Sequence, residues 1–334
     1  MKSAEFSRRE LLAGVGAAAL LSACDSVVGA APADATAEND TTSTAPMTPI
    51  TPADQYYVTS CCLAPEVDFA RWNLQIWDRG VAKGSMDKQF LESVTPREKE
   101  HTLECIGGGP SFPLISNAVW TGLPILELLE KLGVTVPSDA TGLKVTSLDA
   151  YTTAIPLADL QLPVWLVWKI NGEPLPKDHG FPARFLVPGR YGMKNPKWVK
   201  SIEFIDTPYQ GFWEKQGWSD PAPYRANAYI IGPTDKELKA GKVQVFGTAF
   251  AGRDPIAKVE VRVDNGPWQN ATLTYNGGPD VWTLWTFDWQ AQAGNHTVQA
   301  RSTTKSGAMS DPSADGTDLL AGYNGSMQVA FTVS

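Results

Sequence analysis

The sequence predicts an α+β domain followed by an all-β sandwich with an immunoglobulin-like pattern. Between about Gln55 and Tyr224, apolar strand-like runs such as Trp72-Asn73-Leu74-Gln75-Ile76-Trp77 mix with a leucine-rich stretch of helical spacing. From about Arg225 onward, short alternating runs are separated by turn residues. The composition suits strands joined by turns, with 25 prolines and 29 glycines, 43% hydrophobic residues and only 19% charged ones. At 334 residues the chain exceeds one ordinary domain, so two are expected.

The N-terminus reads Ser7-Arg8-Arg9-Glu10-Leu11-Leu12, followed by an apolar run from Ala13 to Ala23. That run is too short to cross a bilayer core, which makes residues 1–24 a signal peptide rather than a membrane span. The paired arginines resemble a twin-arginine export signal. Leu21-Ser22-Ala23-Cys24 resembles a bacterial lipobox, in which Cys24 is lipidated after cleavage. A plain secretory signal is the other possibility. The twin-arginine route implies a periplasmic or otherwise extracytoplasmic protein folded around a cofactor, and the lipobox implies a lipid anchor on the membrane. Residues 25–54 are Ala, Thr, Pro, Asp and Ser with few large apolar side chains, and are expected to be a disordered tether.

In residues 55–224, Ile125-Leu126-Glu127-Leu128-Leu129-Glu130-Lys131-Leu132 spaces its leucines three and four apart, with Gly133 as a stop, and predicts a helix. In residues 225–334 the expected strands include Lys242–Gly247, Ile256–Val263, Trp282–Phe287, His296–Arg301 and Ser326–Val333. Asp264-Asn265-Gly266, Asn276-Gly277-Gly278 and Gly294-Asn295 supply turns between them. Strands with period-two patterning at this spacing predict the immunoglobulin-like sandwich.

A net charge of -8 and the absence of a Lys/Arg run exclude an electrostatic footprint for nucleic acid. His101, His179 and His296 are too far apart in sequence to suggest an imidazole metal site. Cys24, the adjacent pair Cys61 and Cys62, and the solitary Cys105 do not form a disulfide framework.

Cys105 follows an apolar strand at Thr102-Leu103 and precedes the bare-backbone loop Gly107-Gly108-Gly109-Pro110, a setting suited to meeting a bulky ligand. On these residues alone a buried structural cysteine is the better explanation. Three ordered blocks change that balance. Cys105 with Ser116-Asn117-Ala118-Val119-Trp120-Thr121-Gly122-Leu123-Pro124 is similar to the molybdenum-cysteine segment of the sulfite oxidase family. Asn171 to Gly189, continuing through Tyr191-Gly192-Met193-Lys194-Asn195-Pro196-Lys197-Trp198-Val199, resembles that family's pterin-binding segment. Tyr209-Gln210-Gly211-Phe212-Trp213-Glu214-Lys215 and the C-terminal sandwich then follow in the family's order.

The resemblance implies a molybdenum-molybdopterin cofactor with Cys105 as the protein's metal ligand. It also implies oxygen-atom transfer on a sulfur oxyanion such as sulfite, with electrons passed to a cytochrome c or a membrane redox partner. The cofactor's phosphate needs cationic donors, and His179, Arg184, Lys194 and Lys197 are four within a short segment. Solvated surface lysines are the alternative for Lys194 and Lys197. Tyr209 matches an active-site tyrosine of the family, with an interfacial aromatic as the other possibility. The sandwich implies a possible homodimer.

The chain also departs from the family. Tyr56-Tyr57-Val58-Thr59-Ser60-Cys61-Cys62 stands where sulfite-oxidising members carry an arginine that binds the dianion, and Ile106-Gly107-Gly108-Gly109 lacks another. A dianion entering a partly dry site needs compensating charge. Arg190 is therefore expected to point into the substrate pocket and replace the missing guanidinium. Cys61 and Cys62 fall where the missing arginine motif would stand and are not expected to bridge each other, because the geometry is strained. Cys62 is expected to be a small buried or half-buried residue, and for Cys61 that reading and a place near the pocket both stand open. An S-oxide reductase of methionine sulfoxide type and a metal-free binding lipoprotein are the competing functions.

Overall fold

The computed structural model describes residues 47–334. The expected signal peptide, Cys24 and the tether up to residue 46 lie outside the described residues. Residues 47–54, which composition assigned to the tether, pack on the fold instead. The Thr51 amide donates to the Asn117 carbonyl at 2.8 Å, and the Asn117 side-chain amide and Trp282 indole donate to the Pro49 carbonyl at 2.9 and 3.0 Å. Backbone pairing of this kind needs no large apolar side chain, so composition does not reveal it.

The first domain contains β1 (Asn73–Asp78), β2 (Val81–Asp87), α1 (Lys88–Ser93), β3 (Arg97–Glu104), β4 (Ile115–Pro124), α2 (Ile125–Lys131), β5 (Gly142–Ser147), β6 (Thr152–Pro156), β7 (Trp165–Ile170), β8 (Glu173–Pro174), β9 (Arg184–Leu186) and β10 (Val199–Ile205). One sheet runs β2-β1-β10-β5-β6, with β1 and β10 parallel. The other runs β3-β4-β7-β8, with β9 added on β7. Alternation puts Leu74, Ile76, Val145, Ile202 and Phe204 inside, where they share a core with Leu128 and Leu129 of α2.

The predicted helix is α2. Glu127 in its first turn and Lys131 in its last complement the helix dipole. The Asp87 carboxylate caps α1 by accepting from the Phe90 amide at 2.8 Å. With α-helices of only six and seven residues described, the α+β expectation holds in a strand-dominated form.

The second region contains β11 (Asn227–Gly232), β12 (Glu237–Leu238), β13 (Gly241–Phe250), β14 (Ile256–Val263), β15 (Gln269–Asn270), β16 (Thr272–Asn276), β17 (Thr283–Ala291), β18 (Gly294–Thr304) and β19 (Gln328–Val333). Sheets ordered β11-β13-β17-β16 and β12-β19-β18-β14-β15 enclose one core, with Val245 and Trp285 from one side and Val259, Val298 and Phe331 from the other.

The two regions meet along β3, whose period-two alternation decides the contact. Tyr275 donates its hydroxyl to Glu100 at 2.6 Å, and the Trp282 amide donates to the Thr102 hydroxyl at 2.9 Å. Asn227 and Tyr229 donate to the Glu104 carboxylate at 2.9 Å each. The intervening Leu103 joins a core of the first domain. Burial pushes Glu104 up to about 8, against the opposing pull of these two donors. No helix among the described residues is long and apolar enough to cross a membrane.

Candidate active site

Cys105 is the first residue beyond β3. Its amide donates to the Leu114 carbonyl at 2.9 Å and its carbonyl accepts from Gly108 at 3.0 Å, which closes a compact loop at the strand end. Its thiol is free and lines a cavity of about 270 Å³. Bare backbone keeps this space open. A Cβ at Gly107 would stand 3.9 Å from the Cys105 sulfur and 3.5 Å from Trp218. One at Gly192 would stand 3.1 Å from the Tyr57 hydroxyl. Burial raises the Cys105 thiol, while the amides of Gly107 and Gly108 and the Thr59 hydroxyl pull the other way.

The same cavity is lined by His179, Arg184 and Lys197. Arg184 opens β9, is only 5% exposed, and has no carboxylate within ion-pair distance among the described residues. Its terminal nitrogens donate to the carbonyls of His179 and Asn195 at 3.2 Å each, and its plane lies 5.2 Å from the Trp120 ring centre. Nε has no hydrogen-bond partner. Burial lowers its affinity for a proton, with nearby tyrosines acting in the opposite sense.

Lys197 donates to the Ser60 hydroxyl at 2.6 Å and the Asp178 carbonyl at 2.7 Å; burial, then Arg184, push it down to about 7. His179 Nε2 lies 2.9 Å from the Ala53 carbonyl, and burial and Arg184 lower it to about 4. A carbonyl only accepts, so the neutral ring carries its proton on Nε2 and leaves Nδ1 as an acceptor. Buried cations without carboxylate partners beside a soft sulfur donor form a site suited to an anionic ligand. A phosphate-bearing cofactor with a thiophilic metal fits that donor set.

Three expected residues stand elsewhere. Arg190 makes a paired salt bridge to Asp159 at 2.7 and 2.8 Å and does not line the cavity. The carboxylate on the turn after β6 captures the guanidinium, so Arg190 does not replace the missing arginine. Lys194 is buried at 1% exposure between Glu214 at 2.5 Å and Asp220 at 2.9 Å, so its charge is already compensated. Tyr209 donates its hydroxyl to Thr152 at 2.9 Å, with the amines of Lys144 and Lys215 at 5.2 and 5.6 Å from its ring centre, also off the cavity.

The cavity instead recruits Tyr57, Tyr151, Met193, Trp213 and Trp218 as an aromatic and apolar wall, with Thr59, Ser60, Cys61 and Asp149 along one edge. Tyr151 donates to the Met193 carbonyl at 2.5 Å, which fixes that part of the wall. Tyr57 and Trp213 lie within blocks already singled out in the sequence, but nothing there distinguished them from their neighbours.

Residues 62–213 match the oxidoreductase molybdopterin binding domain. The chain is 28% identical to the sulfite oxidase of Arabidopsis thaliana, over 69% of this chain and 71% of that one. It is 33% identical to the uncharacterized oxidoreductase YuiH of Bacillus subtilis, over 45% of this chain and 74% of that one. In fold it resembles the sulfane dehydrogenase SoxCD of Paracoccus pantotrophus, with a TM-score of 0.74 at 21% identity, covering 91% of this chain and 88% of that one. The chain spans about half the length of the mammalian mitochondrial sulfite oxidases it also matches. With the cavity as described, these likenesses define a molybdopterin oxidoreductase. The chain belongs to the sulfite oxidase family, and its cofactor is molybdenum-molybdopterin.

Proposed function

We propose that the protein catalyses oxygen-atom transfer at the sulfur of a small sulfur compound, with sulfite and related oxyanions as the first substrates to examine and a cytochrome-type acceptor for the electrons. The observation that carries this is the cavity with the free Cys105 thiol and the buried, carboxylate-free Arg184. Cys105 is the metal ligand. Arg184 would donate to the cofactor's phosphate, Lys197 would add a point charge, and His179 would supply its neutral ring. The bound cofactor supplies two-electron oxygen-atom transfer. Around it, Trp213, Trp218 and Met193 exclude water and strengthen every polar contact in the pocket.

A second possibility, S-oxide reduction, is favoured by one observation. Arg190 is held by Asp159, so among the described residues the cavity wall offers an incoming dianion no cation other than the two assigned to the cofactor. A neutral S-oxide with an apolar substituent meets the aromatic wall without that deficit. Purified, cofactor-loaded protein assayed with sulfite and cytochrome c, and separately with methionine sulfoxide and a reduced dye, decides the direction. Turnover with neither class, or unchanged turnover in Cys105→Ser, overturns the assignment; a protein holding no molybdenum at all would return the metal-free binding alternative. Twin-arginine export, lipidation at Cys24, and a dimerising immunoglobulin-like second domain are proposals that rest on sequence pattern. Mass measurement of the mature N-terminus and sedimentation of the purified protein test them.

A further inference from the structure

Residues 57–68 form no helix or strand, yet 57 and 59–61 build one edge of the cofactor cavity. Two of its side chains reach the proposed machinery. Thr59 lines the cavity with Cys105 and pulls its thiol downward in proton affinity, and the Ser60 hydroxyl accepts from Lys197 at 2.6 Å. The next two residues are Cys61 and Cys62, both half-buried and free, with sulfurs 2.9 Å apart. Facing them is Asp149, on the turn between β5 and β6. One of its carboxylate oxygens takes the Tyr151 amide at 3.0 Å, and the other has a lone pair to spare. The two sulfurs and a carboxylate oxygen all lie within 4.8 Å of one another.

We propose that Cys61, Cys62 and Asp149 form a second metal site, for one thiophilic divalent ion such as zinc, which clips the coil to the β5–β6 turn. Zinc–sulfur bonds of about 2.3 Å at tetrahedral angles set ligand atoms roughly 3.8 Å apart. The observed sulfur separation of 2.9 Å is shorter than that edge, so a bound ion would spread the two sulfurs by about 0.9 Å, while the carboxylate oxygen already lies within 4.8 Å of both. Two sulfurs and one oxygen select a soft or borderline ion over calcium or magnesium, which require oxygen shells. Three protein ligands leave a fourth position for water or an anion, as in open zinc sites. Two thiolates and a carboxylate carry -3, and a divalent ion brings the site to -1, a charge that the open fourth position and solvent can accommodate. Binding releases the two thiol protons to solvent, and no oxidant or reductant is involved.

The test uses the full chain, cofactor-loaded, reduced with a phosphine and stripped of loosely held metal. Zinc alone is titrated against a chromophoric chelator, and cobalt(II) is added separately as a spectroscopic probe. The expected result is one more zinc per chain in the wild type than in a Cys61→Ser/Cys62→Ser variant. Thiolate-to-cobalt charge-transfer bands should also be present in the first and absent in the second. Asp149→Asn should weaken zinc binding by more than the roughly ten- to hundredfold that loss of an outer partner costs. The single serine variants give the same comparison should the double variant not fold. Equal zinc uptake with no thiolate bands, or a Cys61–Cys62 disulfide that survives the phosphine, overturns the proposal. Neither readout requires turnover, so it stands or falls separately from the substrate.

Discussion

Replacing Arg184 with methionine should separate a cofactor-binding cation from a structural one, because the two roles predict opposite patterns. In the cofactor-free protein the substitution removes two charge-assisted hydrogen bonds, to the His179 and Asn195 carbonyls, at about 1.5 kcal/mol each. It also removes a buried guanidinium with no carboxylate partner, whose desolvation costs several kcal/mol. The two effects offset, so the cofactor-free protein should change in stability by less than about 2 kcal/mol. With cofactor present, two phosphate contacts worth about 3 kcal/mol in all are lost, which corresponds to roughly a hundredfold weaker retention. Urea unfolding of protein made in a host without cofactor synthesis gives the first quantity. Molybdenum-to-protein ratio after prolonged dialysis of protein from a competent host gives the second. A loss of about 3–5 kcal/mol in the cofactor-free form together with undiminished molybdenum would refute the reasoning, since that is the signature of breaking a buried structural pair.

Lys194→Met should show that opposite pattern. It strands Glu214 without its cation and should cost roughly 3–5 kcal/mol in urea unfolding, with molybdenum per folded chain unchanged. For Arg190→Ala, loss of a partly buried paired bridge to Asp159 should cost about 1–2 kcal/mol; kcat/KM for any sulfur substrate should stay within about twofold, and a drop beyond tenfold with intact folding would put the side chain in the pocket. Stability should also fall in mild acid through His101, whose burial lowers it from 6.5 to about 3. The unfolded chain binds the extra proton between those values, so stability is full above about 6.5 and is lost as pH falls toward 3, by about 2 kcal/mol at pH 5. Chemical unfolding of wild type and His101→Leu across that range should differ in slope; parallel curves would mean that His101 does not carry the effect.

Much of the fold follows from patterns that act locally. The spacing of Leu128, Leu129 and Leu132 ahead of Gly133 needs only a core to face, and α2 forms there. Ile256–Val263 and Thr283–Ala291 alternate as strands and become β14 and β17. The candidate site was legible where one short segment carries it, as at His179, Arg184 and Lys197. It was not legible where a partner distant in sequence decides a side chain's direction. Arg190 depends on Asp159, Tyr209 on Thr152, and Lys194 on Glu214 and Asp220, and none of these pairings has a local pattern. Lys194 and Lys197 look alike in sequence, but the first ends a single 3-10 turn and the second follows Pro196, so they point to different surroundings. The coil edge at 57–61 has no periodicity to read, and its place at the cavity comes entirely from tertiary contacts.

The seam along β3 has a consequence for how this chain can be divided. Glu100, Thr102 and Glu104 each find a partner in the second region, and Cys105 is the residue that follows. A fragment ending near residue 224 would keep every residue of the cavity and still lose the template that holds the strand leading into it. Glu104 would be left facing water or an empty hollow, one peptide bond from the thiol. The second region therefore acts as a jig for the strand that leads into Cys105, whatever else it contacts. Exchanging it for the equivalent domain of a relative should disturb the active centre unless these three contacts are transplanted with it.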